Sequence, residues 1–332
     1  MKRRINWALV GTGGITNSFL TGLRAAEGAN PLAIVSRSKE SADRFAAKYG
    51  IEKTYAGADA YDRMLRDPDI EVIYIGTPHV FHRDLAIRAF RAKKGVLCEK
   101  PVSINAGELA GMISCARENG VFFMEAMWTR FVPSLRKVRE WLAQGLIGEV
   151  KMVEANFGFN IPWNPEGRLL NRELGGGALL DAGVYPISLA SMVFGGGKPE
   201  KIASLLYLGQ TGVDEEFSGL ISYGGCRIAT VSAALRTAMV NDGWIYGSSG
   251  RIHLPDFVFS HKARLICDGR YSYDYEGEFL SNGYNYEAEA VMDCIREGKT
   301  ECDVMSLEES QRIMEIMDEI RSQWHFRYPS EG

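Results

Sequence analysis

A lysine that directly follows a short apolar run is the residue in this sequence best placed to do chemistry. The run Gly95-Val96-Leu97-Cys98 is typical of a buried strand, and Glu99-Lys100-Pro101 comes next. In an open parallel sheet the carboxyl ends of the strands surround one crevice, so Lys100 is predicted to face whatever binds there. The alternative is a solvated surface lysine, which is what most lysines are.

A glycine-rich turn closes the first apolar run of the chain and has the spacing of a phosphate-binding turn. Gly11 permits the tight turn, Gly13 lets the backbone approach a pyrophosphate, and a helix beginning near Gly14 offers free amides. The third position of this fingerprint is Thr16 in place of glycine or alanine, which adds bulk where helix and strand pack. The residues predicted to bind the nucleotide here are Gly11, Thr12, Gly13, Gly14 and Ile15.

The residues after the second apolar run, Ser36-Arg37-Ser38, indicate which dinucleotide binds. An NAD-selective fold usually has Asp or Glu here, which accepts a hydrogen bond from the ribose 2′-hydroxyl. A guanidinium can instead hold a 2′-phosphate bidentately, with Ser36 and Ser38 as neutral donors. We therefore predict NADP as the cofactor, with NAD as the second choice; the alternative for Arg37 is a solvated turn residue.

Polar residues follow two further strand-like runs. Thr77-Pro78-His79 comes after one of them, and His82 lies three residues further on. Small and polar groups at this edge are predicted to contact the cofactor near the nicotinamide ribose, together with Glu99 and Lys100. The alternative for the two histidines is that they are polar residues at the start of a helix.

Asp181 and Tyr185 are a carboxylate and a phenol at helical spacing in the second half of the chain. They are four residues apart, so a helix would place both on one face, and the run Gly175–Gly177 suits a turn into that helix. Taken alone, these residues are best explained as a carboxylate at a helix start and an aromatic residue in a core. Aromatic side chains suit the apolar ring faces of a ligand, and an arginine can donate to its hydroxyls. The candidates for the substrate side are Trp128, Arg130, Phe131, Phe157, Phe159 and Trp163, together with Asp181 and Tyr185.

The elements that position these residues fall into two patterns. Through about residue 122, short apolar runs alternate with helical stretches, as expected of a doubly wound α/β (Rossmann) domain with a parallel sheet. Beyond it, longer runs alternate with period two between glycine turns, which predicts an α+β domain with a large open, mostly antiparallel sheet. We therefore predict domains at residues 1–122 and 123–332, the second also serving dimerisation.

Composition excludes several classes of protein. The 332 residues are 46% hydrophobic and 24% charged with a net charge of −4, so neither nucleic acid nor a membrane surface is an expected partner. The six cysteines are scattered without metal-ligand spacing, so no metal site is predicted and a cytoplasmic location is expected. The N-terminal lead-in before the first strand-like run is too short for a signal peptide.

With these motifs assembled, the chain resembles the glucose–fructose oxidoreductase/inositol dehydrogenase (Gfo/Idh/MocA) family. The second-domain run Gly175–Ile187 matches it, as do the glycine turn, Thr77-Pro78-His79 and Glu99-Lys100-Pro101. Two runs are similar to the branch of dimeric dihydrodiol dehydrogenases and NADP-dependent D-xylose 1-dehydrogenases: Glu125-Ala126-Met127-Trp128-Thr129-Arg130-Phe131 and Gly283-Tyr284-Asn285-Tyr286-Glu287-Ala288.

The resemblance implies an NADP-dependent oxidoreductase that acts on a sugar, polyol or cyclic diol. It implies that Lys100 and Tyr185 serve the chemistry, with Asp181 as the aspartate of the family. Either Tyr185 transfers the proton and Lys100 favours its phenolate, or Lys100 is the acid/base and Tyr185 positions the substrate. A homodimer formed through the open sheet is expected. The other class of function left open is a non-catalytic NADP-binding regulator or sensor of the same fold.

Overall fold

The computed structural model describes residues 2–195, 197–269 and 271–331. The strands are, in chain order, β1 (Ile5–Val10), β2 (Ala29–Ser36), β3 (Lys53–Ala56), β4 (Val72–Ile75), β5 (Gly95–Glu99), β6 (Phe123–Ala126), β7 (Val150–Gly158), β8 (Lys201–Leu208), β9 (Asp214–Ser222), β10 (Ile228–Ala234), β11 (Gly243–Gly247), β12 (Gly250–Leu254), β13 (Lys262–Cys267) and β14 (Tyr271–Glu276). The α-helices are α1 (Gly14–Ala25), α2 (Lys39–Tyr49), α3 (Ala60–Leu65), α4 (His82–Arg91), α5 (Ala106–Asn119), α6 (Pro133–Ala143), α7 (Val184–Phe194), α8 (Tyr284–Arg296) and α9 (Leu307–Ser322).

The chain divides into two compact units. The first unit comprises Met1–Ser103, Gly107–Phe131 and Phe279–Ser310, and the second comprises Ile104–Ala106, Val132–Glu278 and Gln311–Gly332. These limits differ from the predicted division into residues 1–122 and 123–332. Residues 123–126 form β6 of the first unit, and α8 packs against α1 of that unit.

The first unit is built on a parallel six-stranded sheet with the order β3-β2-β1-β4-β5-β6. Strands β4 and β5 are buried along their whole length, as expected when helices cover both faces of a parallel sheet. The order reverses at β1, so the carboxyl ends of β1 and β4 lie at the switch point where such folds bind ligands. This confirms the predicted doubly wound α/β domain.

The second unit is built on an eight-stranded sheet with the order β14-β13-β12-β11-β7-β10-β9-β8. Its pairs are antiparallel except for β7 with β10, which confirms the predicted mostly antiparallel sheet. Helix α7 packs on β7 and β10. On β9 exposed side chains alternate with buried ones, and on β8 exposed side chains alternate with half-buried ones over Lys201–Tyr207.

One helical stretch of the second unit is very apolar. Among the described residues, Arg172–Phe194 is long and apolar enough to cross a membrane, and 89% of its most apolar window is buried inside the protein. Helices in the core of globular proteins have this combination of length, composition and burial.

Candidate active site

The glycine-rich turn after β1 has the geometry that a dinucleotide needs. Gly11 has a φ of +101°, and a Cβ there would lie 2.9 Å from the carbonyl oxygen of Gly76, so glycine is required. A Cβ at Gly13 or Gly14 would meet no described atom within 4 Å, so the backbone can be approached closely at both positions. Helix α1 begins at Gly14 without a side-chain cap among the described residues, which leaves its first amides for an anion. These residues fit a pyrophosphate.

Thr16, the departure from the fingerprint, is accommodated by a second glycine. Thr16 is fully buried, and a Cβ on Gly76 would lie 2.6 Å from its Oγ1 and 2.8 Å from the ring of Tyr74. The glycine that follows β4 therefore provides the space that glycine or alanine usually provides on the helix. The helix and the strand ends stay close enough for the turn to form.

The turn after β2 is held by its own hydroxyl groups. The Ser36 Oγ accepts a hydrogen bond from the Ser38 amide at 3.3 Å, and the Ser38 Oγ accepts one from the Ser41 amide at 3.2 Å, which caps α2. Arg37 is exposed, and its guanidinium carbon lies 5.8 Å from the centre of the Phe81 ring. The predicted 2′-phosphate donors Ser36, Arg37 and Ser38 thus lie on one hydrogen-bonded turn, and the Arg37 side chain is exposed.

The two histidines after β4 are buried. His82 is fully buried, with Nδ1 3.1 Å from the Pro101 carbonyl oxygen and Nε2 2.8 Å from the Thr77 carbonyl oxygen. It therefore ties the chain after β4 to the chain after β5. The ring of His79 lies 5.8 Å from that of His82. The roles predicted for Thr77, Pro78, His79 and His82 toward the cofactor stay predictions.

Buried side chains hold the backbone around Lys100 on three sides. The Lys100 amide donates to Glu99 Oε2 at 3.2 Å, the Pro101 carbonyl faces His82, and the Val102 amide donates to Glu125 Oε1 at 3.2 Å. Glu99 is held in turn by the Tyr74 hydroxyl, which donates to Oε1 at 2.6 Å. These contacts hold the backbone on both sides of Lys100, while its side chain is half-buried.

The carboxyl groups around this segment are unusual because they are buried together. Burial raises the pKa of Glu125 to about 7, and the nearby charge of Glu99 acts in the same direction. Burial and the Glu99 charge also raise the pKa of Glu287, on α8, well above its ordinary value. Sequence reasoning assigned no role to Glu125 or Glu287, although both belong to the runs that carried the family resemblance.

In the second unit, a glycine turn leads into the helix that carries Asp181 and Tyr185. A Cβ on Gly176 would lie 2.6 Å from the Arg168 and Leu169 carbonyl oxygens, and Gly177 has a φ of +133°. The helical stretch starts with a π-helical turn, Leu179–Gly183, which continues as α7. The Leu179 amide donates to Asp214 at 2.6 Å, and burial raises the pKa of Asp214 to about 7. The predicted turn and helix are both present.

Asp181 and Tyr185 each have a defined neighbour in the second unit. The guanidinium of Arg168 donates from Nη1 to Asp181 Oδ1 at 2.8 Å. The Tyr185 ring is buried and meets the ring of Phe157 edge to face at 5.4 Å. The sequence indicated the Phe157 position by its aromatic type, whereas Arg168 carried no signal that separated it from other loop arginines.

The predicted substrate residues are divided between the units. Trp128 and Phe131 are buried in the first unit, where Trp128 stacks on Tyr284 at 4.9 Å. Arg130 forms a buried ion pair with Glu309 at 2.6 Å. In the second unit, Trp163 is 44% exposed, and the Arg236 guanidinium lies 5.1 Å from its ring.

The structure thus gives Arg130 a structural partner and brings Phe157 to Tyr185, as well as to Phe159 at 5.6 Å. The predicted substrate contacts themselves stay predictions. Among the described residues, no group of three or more His, Cys, Asp or Glu side chains could hold a metal ion.

Comparison with known families decides what this arrangement is. The model of an oxidoreductase family with an NAD-binding Rossmann fold (GFO/IDH/MocA) matches residues 5–127, and the GFO/IDH/MocA C-terminal domain matches residues 135–253. The chain belongs to the GFO/IDH/MocA family. It is therefore an NAD(P)-dependent oxidoreductase with a Rossmann domain, as the sequence predicted.

Relatives within the GFO/IDH/MocA family extend over nearly the whole chain. The trans-1,2-dihydrobenzene-1,2-diol dehydrogenase of Xenopus laevis is 38% identical, and the alignment covers 97% of this chain and 99% of that protein. The enzyme of the same name from Mus musculus is 34% identical, covering 98% and 99%. These relatives agree with the branch named from the sequence.

Solved structures show the same fold. A 3-ketoreductase from Actinomadura kijaniata in complex with NADP and TDP-benzene superposes with a TM-score of 0.84 at 24% identity, covering 96% of this chain and 98% of that one. An aldose-aldose oxidoreductase from Caulobacter crescentus complexed with glycerol superposes with a TM-score of 0.87 at 22% identity, covering 96% and 97%.

Proposed function

We propose that this protein is an NADP-dependent dehydrogenase or reductase that transfers hydride between the nicotinamide and a carbinol or carbonyl carbon of a sugar, polyol or cyclic diol. The observation that carries the proposal is the set of buried contacts that hold the backbone around Lys100 at the end of β5. A catalytic group gains from such fixation because misplacement by about 1 Å can cost 100-fold in rate. The names of the full-length relatives support a diol or a similar hydroxylated substrate.

The cofactor contacts follow from the first unit. The backbone at Gly13 and Gly14 and the start of α1 would hold the pyrophosphate, and Ser36, Arg37 and Ser38 would hold the 2′-phosphate of the adenosine. When bound, the nicotinamide accepts or supplies the hydride. The absence of a carboxylate after β2 supports NADP over NAD.

The residues of this chain manage the proton at the substrate oxygen. We assign proton transfer to Tyr185, which a lysine ammonium assists by favouring the phenolate. Lys100 from the first unit would supply that ammonium and contact the substrate hydroxyl or the ribose. Asp181 would orient Lys100 or a substrate hydroxyl, and Arg168 holds its carboxylate. In the variant of this assignment, Lys100 is the acid/base and Tyr185 positions the substrate.

A substrate screen tests the proposed activity. Oxidation of aldoses, polyols and cyclic diols with NADP⁺, and reduction of the matching carbonyls with NADPH, are followed through the absorbance of the reduced cofactor. We expect turnover with at least one hydroxylated substrate and a higher kcat/KM with NADP⁺ than with NAD⁺. Tight NADP binding without turnover on any substrate of the panel would instead support a non-catalytic NADP-binding regulator.

We also propose that the exposed face of the second unit's sheet pairs with a second copy of the chain. Large apolar side chains project from neighbouring strands on this face, including Leu205 on β8 at 80% exposure and Leu220 on β9 at 53%. Leu220 pairs in register with Ala203 and Thr230, so small side chains flank it on both neighbouring strands. Apolar patches of this kind are unusual on monomers, and a two-fold dimer would bury the same patch on both copies.

Light scattering coupled to size-exclusion chromatography tests this dimer at micromolar concentration. We expect the wild type to have the mass of a dimer, and Leu205→Glu with Leu220→Glu to have that of a monomer. Val240→Glu is the matched control, because Val240 is 77% exposed but lies in the loop between β10 and β11. A monomeric wild type would contradict the proposal.

A further inference from the structure

An exposed phenylalanine lies at the edge of the cofactor turn without a role in the activity described above. Phe81 is 39% exposed and belongs to the short 3₁₀ turn His79–Phe81 that follows β4. Its ring lies under the guanidinium of Arg37, at 5.8 Å from the guanidinium carbon to the ring centre. This distance is within the range in which an arginine is attracted to an aromatic face.

The topology gives this contact its position. Strand β1 lies between β2 and β4 in the sheet and ends in the glycine turn. Arg37 follows β2 on one side of this turn, and Phe81 follows β4 on the other side. The carboxyl ends of parallel strands lie at the same edge of the sheet. The contact between Arg37 and Phe81 therefore connects the two loops that flank the phosphate-binding turn.

The chemistry of the contact leaves Arg37 able to bind an anion. The attraction between the guanidinium charge and the ring uses none of the five N–H donors, so these stay able to bind an anion. A free arginine side chain carries about 2 kcal/mol of rotamer entropy, part of which it loses when it binds a phosphate. An aromatic ring that already restricts the side chain lowers that cost. The backbone below Arg37 is fixed as well, through the hydrogen bonds of Ser36 and Ser38.

We propose that Phe81 determines cofactor specificity by holding the Arg37 guanidinium in place for the 2′-phosphate of NADP. This inference rests on the proposed preference for NADP. It goes beyond that preference because it assigns the selectivity to a pair of residues from two loops. A direct stack of Phe81 on the adenine would instead favour NADP and NAD equally, since both cofactors carry the same base.

Isothermal titration calorimetry on the whole 332-residue chain tests the proposal without any turnover. The ligands are NADP⁺, NAD⁺ and 2′,5′-ADP, and the variants are Phe81→Leu, Phe81→Tyr and Arg37→Met. Phe81→Leu removes the aromatic face and keeps apolar bulk at a partly exposed site, and Phe81→Tyr is the matched control that keeps the face. Thermal midpoints establish that each variant folds.

We expect Phe81→Leu to weaken binding of NADP⁺ and 2′,5′-ADP about two- to five-fold, which corresponds to about 0.5–1 kcal/mol for an exposed cation–π pair. Binding of NAD⁺ should not change, and Phe81→Tyr should match the wild type. In the Arg37→Met background, Phe81→Leu should have no further effect on NADP⁺.

Two sets of results would overturn the inference. Equal weakening of NADP⁺ and NAD⁺ would show that the ring contacts the shared adenosine, and unchanged affinities in Phe81→Leu would show that it does not act on binding. A wild type that prefers NADP⁺ together with either result contradicts only the role of Phe81. A wild type that binds NAD⁺ as tightly as NADP⁺ contradicts the proposed cofactor preference itself, and the inference with it.

Discussion

Replacing Glu125 by glutamine should make the stability of this protein less dependent on pH. Glu125 is 1% exposed, and burial raises its pKa from an ordinary value of 4.5 to about 7. Its Oε1 accepts the Val102 amide beside the Lys100 segment, and the amide oxygen of glutamine can accept the same hydrogen bond. The substitution therefore removes the titration while it keeps the contact.

The sign and the size follow from linkage. A carboxyl whose pKa is higher in the folded state contributes stability that is fully present below the unfolded pKa, near 4.5, and lost as the pH rises through about 7. A difference of about 2.5 pKa units corresponds to about 3 kcal/mol at most. Between pH 5 and pH 8, Glu125 should therefore cost the wild type roughly 2–3 kcal/mol of unfolding free energy.

The assay is urea unfolding of the wild type and the Glu125→Gln variant at pH 5 and pH 8. We expect the free energy of unfolding of the variant, relative to the wild type, to be higher at pH 8 than at pH 5 by roughly 2–3 kcal/mol. Glu118→Gln is the matched control on α5, where the carboxylate is exposed and the difference should stay near zero. A Glu125→Gln difference that is the same at both pH values would refute the reasoning.

Two further substitutions test how the site is built. Gly76→Ala would bring a Cβ to within 2.6 Å of Thr16 Oγ1, so it should destabilise the protein by about 1–3 kcal/mol, and adding Thr16→Ala should recover part of that loss in thermal unfolding. Full stability of Gly76→Ala alone would contradict this packing. Arg168→Met removes the ion pair with Asp181, so kcat should fall while the Kd for NADP⁺ is unchanged, and Arg168→Lys should keep more activity than Arg168→Met. An unchanged kcat and an unchanged pH profile in Arg168→Met would show that the ion pair has no part in turnover.

The fold could be read from the sequence where burial leaves a simple pattern. Strands β4 and β5 are apolar throughout because both faces are covered, and α8 begins and ends where its helical pattern does. Strand β14 has no such pattern, because nearly all of its residues are exposed and no apolar alternation marks it. The return of α8 to the first unit also could not be predicted, since it depends on Gly22, where a Cβ would lie 2.7 Å from the Asn285 amide.

The candidate site residues could be named from the sequence, but the residues that hold them in place could not. Gly11 is marked by the glycine-rich turn and Lys100 by its place at a strand end, whereas Tyr185 was identified through the family resemblance. The contacts that hold them come from residues distant in the sequence, such as Glu125 to Val102 and Arg168 to Asp181. Those pairings are set by tertiary packing, which a pattern in a single sequence does not encode.

The most direct test of the central claim is hydride transfer in the Lys100→Met variant, measured in single turnovers with bound NADP⁺ and a substrate found in the screen. Methionine keeps most of the length and the apolar character of the side-chain stem and removes its charge. The account predicts that the rate falls by at least about 100-fold, the lower range of what an acid/base group contributes, while the Kd for NADP⁺ changes little. A near-normal rate in Lys100→Met, with NADP⁺ bound as in the wild type, would contradict the assignment of Lys100 to the chemistry.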